Sequence, residues 1–534
     1  MIANTDRRWQ ALAGAAGLLL LGLFVIGAFA ALVTQAATID VGAVLGDPYI
    51  AGVVRFTLLQ AGLSTLFSLA FALPLALALH RFRFPGRSLV LRFFLLPQAL
   101  PVLVGALGIL AIWGRGGLLS DALAGLGFAR LDVYGLTGIL LAHVFFNMPL
   151  ATRLLVAALD AVPSESWKLA GQLSLGPAAT FRLVEWPAIR SSLPAAASLV
   201  FMLCMTSFTL VLVLGGGPAA TTLEVSIYQS LRYAFDPARA VVLALAQVLI
   251  TGIVLFAVTR FAGRVDGMAT LGRAATRYDR MSTAERGLAG LVILLGLGFV
   301  LAPFAAIVTR GLAADLWRLF GETALHRAVL TSMLVATAAA TLSLALSLAL
   351  LFGARARRRN AEEAGGRGLY DLAGSLVLVV PPIVLGAGWF LCLRQVTDVF
   401  AAAPYLVVAT NAVMAMPFVM RIVGPALSSS AARHDRLAES LGLAGLNRLA
   451  LVEWPATRGA LGLAFAFALA LSLGDLGVAA LFGNQDFLTL PLLLYQRMGS
   501  YRTADAAGIA LILGIMTLVL MSVGEKGFAR KDPE

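Results

Sequence analysis

Charge is what this sequence lacks. Only 13% of its 534 residues are Asp, Glu, Lys or Arg, about half the share of a soluble globular chain, while 60% are apolar and the mean hydropathy is +0.90. An ordinary cytosolic enzyme is excluded. Cysteine is nearly absent: Cys204 and Cys392 both sit in apolar runs, which excludes a disulfide framework and any metal-ligand spacing. Lysine is confined to Lys168, Lys526 and Lys531. None of them closes a Gly-x-x-x-x-Gly-Lys-Ser/Thr loop, so the chain has no P-loop for ATP. The 53 Gly and 21 Pro are scattered through apolar stretches, as membrane helices tolerate, without a collagen period or a low-complexity tract.

What is present is a succession of long apolar runs. A membrane helix needs about 20 such residues, and twelve windows qualify: 11–34, 56–79, 89–113, 135–159, 191–215, 239–262, 287–310, 327–353, 369–393, 404–428, 459–482 and 504–523. The expectation is an all-α membrane protein with 12 transmembrane helices. The first window follows Arg7 and Arg8 but outruns the core of a signal peptide, so it reads as a retained anchor. With the N-terminus inside, 29 of the 40 basic residues fall on the inner side and 11 outside, while the acidic residues divide 16 to 12. The inner face then nets +13 and the outer −1, as the positive-inside rule requires, with both termini cytoplasmic. These charges are spread over short loops with no single basic face, which argues against nucleic-acid binding despite a pI near 10.3.

The chain is also doubled. Residues 148–190 match 416–458 without a gap: Met148-Pro149 pairs with Met416-Pro417, Arg153 with Arg421, and Leu183-Val184-Glu185-Trp186-Pro187-Ala188 with Leu451-Val452-Glu453-Trp454-Pro455-Ala456. Upstream, at a shifted offset, Pro101 and Gly105 pair with Pro382 and Gly386, and Ser68-Leu69-Ala70 with Ser343-Leu344-Ala345. The implied organisation is a first six-span half over 1–262, a cytoplasmic linker over 263–286, and a second six-span half over 287–534. Six is even, so both halves enter from the same face, related by an axis along the membrane normal.

The strongest repetition falls on two long inner segments, 160–190 and 428–458, which marks them as surfaces for a partner outside the bilayer. Ser164 to Ser174 and Ala432 to Gly442 are each expected to form a short surface helix, with Ser164 or Ser430 as N-cap candidates. Pro187 and Pro455 mark an expected break before the next membrane helix. Glu185 and Glu453 are expected outside the hydrocarbon, beside interfacial Trp186 and Trp454.

A transporter also needs an energy source. Intramembrane relays are scarce: His143 and Asp475 are the clearest, and Asp505 falls near a span end. His143 reads as a packing residue. Two repeated docking segments and no ATP site point to a separate ATPase. The best candidates for the translocation path are polar residues at equivalent places in the two halves, Ser207 and Thr209 in span five and Ser472 and Asp475 in span eleven. Close helix packing is the competing reading for the hydroxyls.

The paired segments resemble the EAA regions of type I ABC importer permeases. Leu214-Gly215-Gly216-Gly217-Pro218 through Glu224, Ser472-Leu473-Gly474-Asp475, Leu481 through Phe487, and Gly499-Ser500-Tyr501-Arg502 resemble the thiamine ABC transporter permeases, and the likeness runs over most of the chain. The resemblance implies two tandem six-helix permease units whose coupling helices dock on an ATP-binding subunit dimer. The ATPase-docking residues would then be Ser164, Glu165, Lys168, Ala170, Ser174 and Glu185 in the first copy, and Arg436, Ala438, Glu439, Gly442 and Glu453 in the second. The general motif departs here: Lys168-Leu169-Ala170 and Arg436-Leu437-Ala438 stand where Glu-Ala-Ala is usual, and its Gly is Gly442 but Ser174. The resemblance further implies a bacterial inner-membrane subunit without catalytic residues, metal or cofactor of its own, with ATP and Mg held by the ATPase. Thiamine, and its phosphates with it, would be delivered by an outer-face binding protein contacting loops 215–238 and 483–502. A ferric-ion permease and an ion-coupled 6+6 secondary carrier are the alternatives.

Overall fold

The computed structural model describes residues 2–36, 46–261, 281–358, 368–376, 380–484 and 486–527, with isolated positions between 37 and 45. Among these, every regular element is helical, as expected where apolar runs leave backbone groups no water to bond. In chain order the principal helices are α1 (Ile2–Ala36), α2 (Pro48–Arg81), α3 (Val102–Trp113), α4 (Leu136–Asp160), α5 (Ser164–Gln172), α6 (Trp186–Met205), α7 (Thr209–Leu214), α8 (Leu223–Arg232) and α9 (Pro237–Phe261). After them come α10 (Thr283–Leu312), α11 (Thr323–Arg358), α12 (Pro382–Leu393), α13 (Ala403–Ser440), α14 (Trp454–Gly474), α15 (Gly477–Phe482), α16 (Leu490–Gly499) and α17 (Thr503–Gly527). Among the described residues, eleven helical stretches are long and apolar enough to cross a membrane, and Pro382–Leu393 is a shorter apolar helix.

Two windows begin later than the apolar pattern suggests, and proline is the reason in both. Residues 89–113 become short helices followed by α3, which starts directly after Pro101; residues 369–393 become Leu369–Leu376 and then α12, which starts after Pro381. A proline imposes extended geometry on the residue before it and donates no N–H, so it fits a helix start and resists continuation. Much of the linker expected over 263–286 lies outside the described residues; its last four open α10.

The repeat divides the chain by sequence, whereas packing groups it into two compact units. One contains Met1–Leu45, Ser226–Val248 and Gly311–Glu534, and the other Gly46–Val225 and Leu249–Arg310. Within the first unit, α1 lies against α11 and α12. Glycines permit the close approach: a Cβ on Gly14 would stand 2.5 Å from Gly353 Cα, and one on Gly388 2.3 Å from the Ala28 carbonyl oxygen. Trp389 stacks on Phe24 with ring centroids 5.6 Å apart and donates its indole N–H to the Phe24 carbonyl at 3.0 Å. Within the second unit, Leu75 and Leu79 of α2, Leu155 and Leu159 of α4, and Ile293 and Val300 of α10 share one core. The first helix of each sequence half thus packs in the unit built mainly from the other half.

The Gly388 contact is backbone against backbone and cannot yield as a side chain would. Gly388→Val is expected to lower stability by about 1–3 kcal/mol, read as a fall in melting temperature of the purified chain in detergent.

Candidate functional site

The two repeated segments fold alike at their ends and differently at their starts. In the first copy α4 stops at Asp160 and α5 is a separate helix. Its cap position is Pro163, and Ser164 is the first helical residue, whose hydroxyl donates to the Glu165 carboxylate at 3.0 Å. In the second copy α13 runs unbroken for 38 residues to Ser440, and Ser430 lies inside it. Neither serine is the expected cap, and the second segment has no separate surface helix. The difference traces to Pro163, which stops the first copy where the second has Ala431.

In both segments the helix closes on a left-handed residue, Ser174 at φ 47° and Gly442 at φ 64°. Leu175 N–H bonds back to the Ala170 carbonyl at 3.0 Å and Leu443 N–H to Ala438 at 2.9 Å, the Schellman closure that favours glycine. Ser174 accepts the same geometry with a Cβ.

The prolines do not break the chain as expected. Phe181–Glu185 and Leu449–Glu453 are single π-turns that run directly into α6 and α14. The N–H of Trp186 reaches back to Phe181 and that of Trp454 to Leu449. This wider turn lets the helix pass a residue that donates no N–H.

The glutamates of the repeated Glu-Trp-Pro are buried within the protein. Glu185 is fully buried and accepts both arms of Arg81, with Nε–Oε1 at 2.9 Å. Glu453, 6% exposed, accepts from Arg355 at 2.6 Å. Arg355 and Arg448 both also donate to Asp435. Arg81 and Arg355 come from the ends of α2 and α11, the second helix of each repeat, so each Arg–Glu pair ties that helix to the repeated segment. In the first copy a further contact fixes α5 itself. Trp167 is 2% exposed and its ring lies 5.3 Å from that of His80. His80 Nδ1 stands 3.1 Å from Asp160, which Arg87 also reaches at 3.4 Å.

Of the other segment residues singled out from the sequence, Glu165, Lys168, Ser174, Arg436, Glu439 and Gly442 are exposed, Ser164 is half-buried, and Ala170 and Ala438 are buried. The Glu165 carboxyl is held below the usual carboxylate range by its own backbone amide and then by the Ser164 hydroxyl. Sequence reasoning missed Arg81, Arg355, His80, Asp160, Trp167, Asp435 and Arg448. The available signal was the repetition of a carboxylate in an apolar setting, which needs a counter-charge.

The polar residues singled out for the path lie at or beside helix breaks. Ser207 stands between α6 and α7, and Thr209 opens α7. Asp475 follows α14, where its Oδ1 accepts the Gly477 N–H at 3.1 Å. Ser472 accepts from Asn411 Nδ2 at 2.9 Å. His143, the repeat equivalent of Asn411, is 1% exposed and bonds Ser64 at 2.8 Å, while its Nε2 has no hydrogen-bond partner among the described residues.

In loops 215–238 and 483–502, several charges are engaged within the protein. Arg232 donates to the Gly483 carbonyl at 2.8 Å and lies 5.6 Å from the Phe400 ring centroid. Arg497 pairs with Glu322 and, at 3.5 Å, with Asp505. Glu224 is 1% exposed, whereas Asp486 and Arg502 are exposed. Gln485 lies outside the described residues.

Two consequences are measurable. Removing one partner of a buried pair strands the other, so Glu185→Leu alone is expected to cost about 3–5 kcal/mol, while Arg81→Met with Glu185→Leu recovers most of it; thermal melting of the purified single and double variants decides. Ser174→Gly is expected to gain about 1 kcal/mol and Gly442→Ala to lose about as much, by the same measurement.

Comparison with known proteins agrees with this architecture. Residues 49–267 match the family model of the binding-protein-dependent transport system inner membrane component. The thiamine transport system permease protein ThiP of Brucella abortus (strain 2308) is 51% identical over 91% of this chain and 89% of its own length. That of Escherichia coli (strain K12) is 42% identical over 94% and 93%, and that of Haemophilus influenzae 36% over the same shares. The likeness extends through both repeats, and the chain belongs to the ThiP family of transport system permease proteins.

Proposed function

We propose that this chain is the membrane-spanning permease subunit of an ATP-driven importer for thiamine, its termini on the cytoplasmic side. The observation that carries this reading is identity of 42–51% over about nine-tenths of the chain with permeases named for thiamine transport. The excess of Lys and Arg in alternate loops supports the orientation. Thiamine phosphates are candidate cargo as well.

In this reading an ATP-binding subunit dimer docks on the two repeated segments, with ATP and Mg bound by that dimer. The exposed groups of each segment, Glu165, Lys168 and Ser174 in one and Arg436, Glu439 and Gly442 in the other, offer the contact surface. The buried Ala170, Ala438, Glu185 and Glu453 hold that surface to the membrane helices. Each docking segment is joined to α2 or α11 by an Arg–Glu pair, so a displacement of the segment pulls on a membrane helix directly. A thiamine-binding protein meets the opposite face, where Asp486 and Arg502 are exposed. Ser207, Thr209, Ser472 and Asp475 contribute to the path; a chain that changes direction at a helix break exposes polar groups without opening a lipid-facing ladder.

The test is ATP hydrolysis in proteoliposomes containing this chain, its ATPase and the binding protein. Thiamine-loaded but not empty binding protein is expected to stimulate turnover. Thiamine uptake without the ATPase under an ion gradient would replace this reading by the secondary-carrier one. Lys168→Glu with Arg436→Glu is expected to reduce the stimulated rate about tenfold by reversing the charge at both docking surfaces, with complex assembly followed by co-purification.

A further inference from the structure

Every other carboxylate that the structure buries has a counter-charge or caps a turn; Glu224 has neither. It lies in the first turn of α8 and is 1% exposed, and its Oε1 has no hydrogen-bond partner among the described residues. Two residues earlier, Thr222 is fully buried and its Oγ1 is likewise unpartnered. Between them Leu223 is pinned: its N–H donates at 3.0 Å to Thr57 Oγ1 on α2, which itself donates to the Val53 carbonyl at 2.7 Å. Thr221 Oγ1 donates to Gly217 at 3.0 Å, holding the approach to the helix.

The second repeat separates what this arrangement needs for folding from what it does not. There Leu490 N–H donates to Ser332 Oγ on α11 at 2.8 Å, the same pin made by the other hydroxyl residue. Thr489 stands where Thr222 does, buried and with an unpartnered Oγ1. The residue in the place of Glu224 is Pro491. The pin and the threonine are therefore common to both copies, while the carboxylate belongs to one and is dispensable for this turn. An unpaired buried carboxylate opposes folding; the helix N-terminus offsets only part of that. Thr57 lies 24 residues before Arg81 on α2, about 36 Å along the helix, so Glu224 is far from the docking segments, towards the end where cargo enters an importer.

We propose that Glu224, together with the Thr222 hydroxyl, is a recognition site for a singly charged organic cation, and that it receives the thiazolium end of the cargo. One carboxylate matches one positive charge, and the hydroxyl serves a polar substituent. The proposal rests on the thiamine-importer reading for the identity of the cation.

The experiment compares wild type, Glu224→Gln and Glu224→Asp in the assembled complex by two readouts: thiamine uptake into proteoliposomes supplied with loaded binding protein, and the melting temperature of the purified complex with and without millimolar thiamine. For Glu224→Gln, uptake is expected to fall about tenfold or more, the thiamine-induced rise in melting temperature to disappear, and the ligand-free melting temperature to stay at or above that of wild type. Glu224→Asp is expected to retain part of both. Wild-type uptake in Glu224→Gln, or a loss of uptake accompanied by a lower ligand-free melting temperature, overturns the proposal. If wild type itself takes up no thiamine, the importer reading falls. The carboxylate is then judged by the melting shift alone: a rise in wild type that Glu224→Gln lacks sustains the cation site, and equal rises or none remove it.

Discussion

A peptide group inside hydrocarbon must find its partner within the protein, and the arrangement of this chain follows from that requirement. Straight helices meet it without help. The informative places are those where proline or a polar residue disturbs the ladder, because each needs a local remedy. Pro187 and Pro455 are absorbed by a π-turn immediately upstream, so the helix continues through them. Pro101 and Pro381 are placed at helix starts, where no N–H is missed. The breaks after α6 and α14 are closed locally, the second by the Asp475 carboxylate on Gly477 N–H. At these described positions the protein itself supplies the bond.

The same logic extends to charge. Glu185 and Glu453 are repeated carboxylates that the fold removes from solvent, and each is matched by an arginine from the second helix of its repeat. A buried pair adds little net stability, but its geometry is hard to abandon, since parting the charges is far worse than keeping them. That property makes a joint between the repeated segment and a membrane helix that is hard to part, as the proposed docking role would need. The first copy adds the Trp167–His80 contact because its α5 is not continuous with α4, whereas the second copy obtains the same continuity from the unbroken α13.

Much of this was legible in the sequence because it depends on local pattern. Twenty-residue apolar runs, the charge bias of the loops and the gapless match of 148–190 with 416–458 define the helical class and the duplication. The limits of the third and ninth windows were not legible, since hydropathy averages over the prolines that set them. Nor were the clamps: Arg81 and Glu185 are about a hundred residues apart, and Glu185 beside Trp-Pro looks in isolation like an interfacial anchor. Glu224 looks like one loop charge among several until its burial is known. In each case the missing information was which distant side chain, or none, stands opposite a charge.

Duplication supplies a way to recover part of that information. Two copies under the same packing constraints keep what the fold requires and diverge elsewhere. The pin between a hydroxyl on the second helix and the N–H of a leucine survives as Thr57–Leu223 and Ser332–Leu490. The clamp survives as Arg81–Glu185 and Arg355–Glu453. His143 against Asn411, Ser207 against Asp475, and Glu224 against Pro491 do not survive as identities. The surviving contacts tie segments to membrane helices and thus preserve shape. Ser207 against Asp475 and Glu224 against Pro491 place an ionisable group in one copy only, whereas His143 against Asn411 exchanges one buried hydrogen-bonding side chain for another. Under the importer reading proposed above, a cargo without two-fold symmetry would meet a different side chain at Ser207 than at Asp475, and at Glu224 than at Pro491.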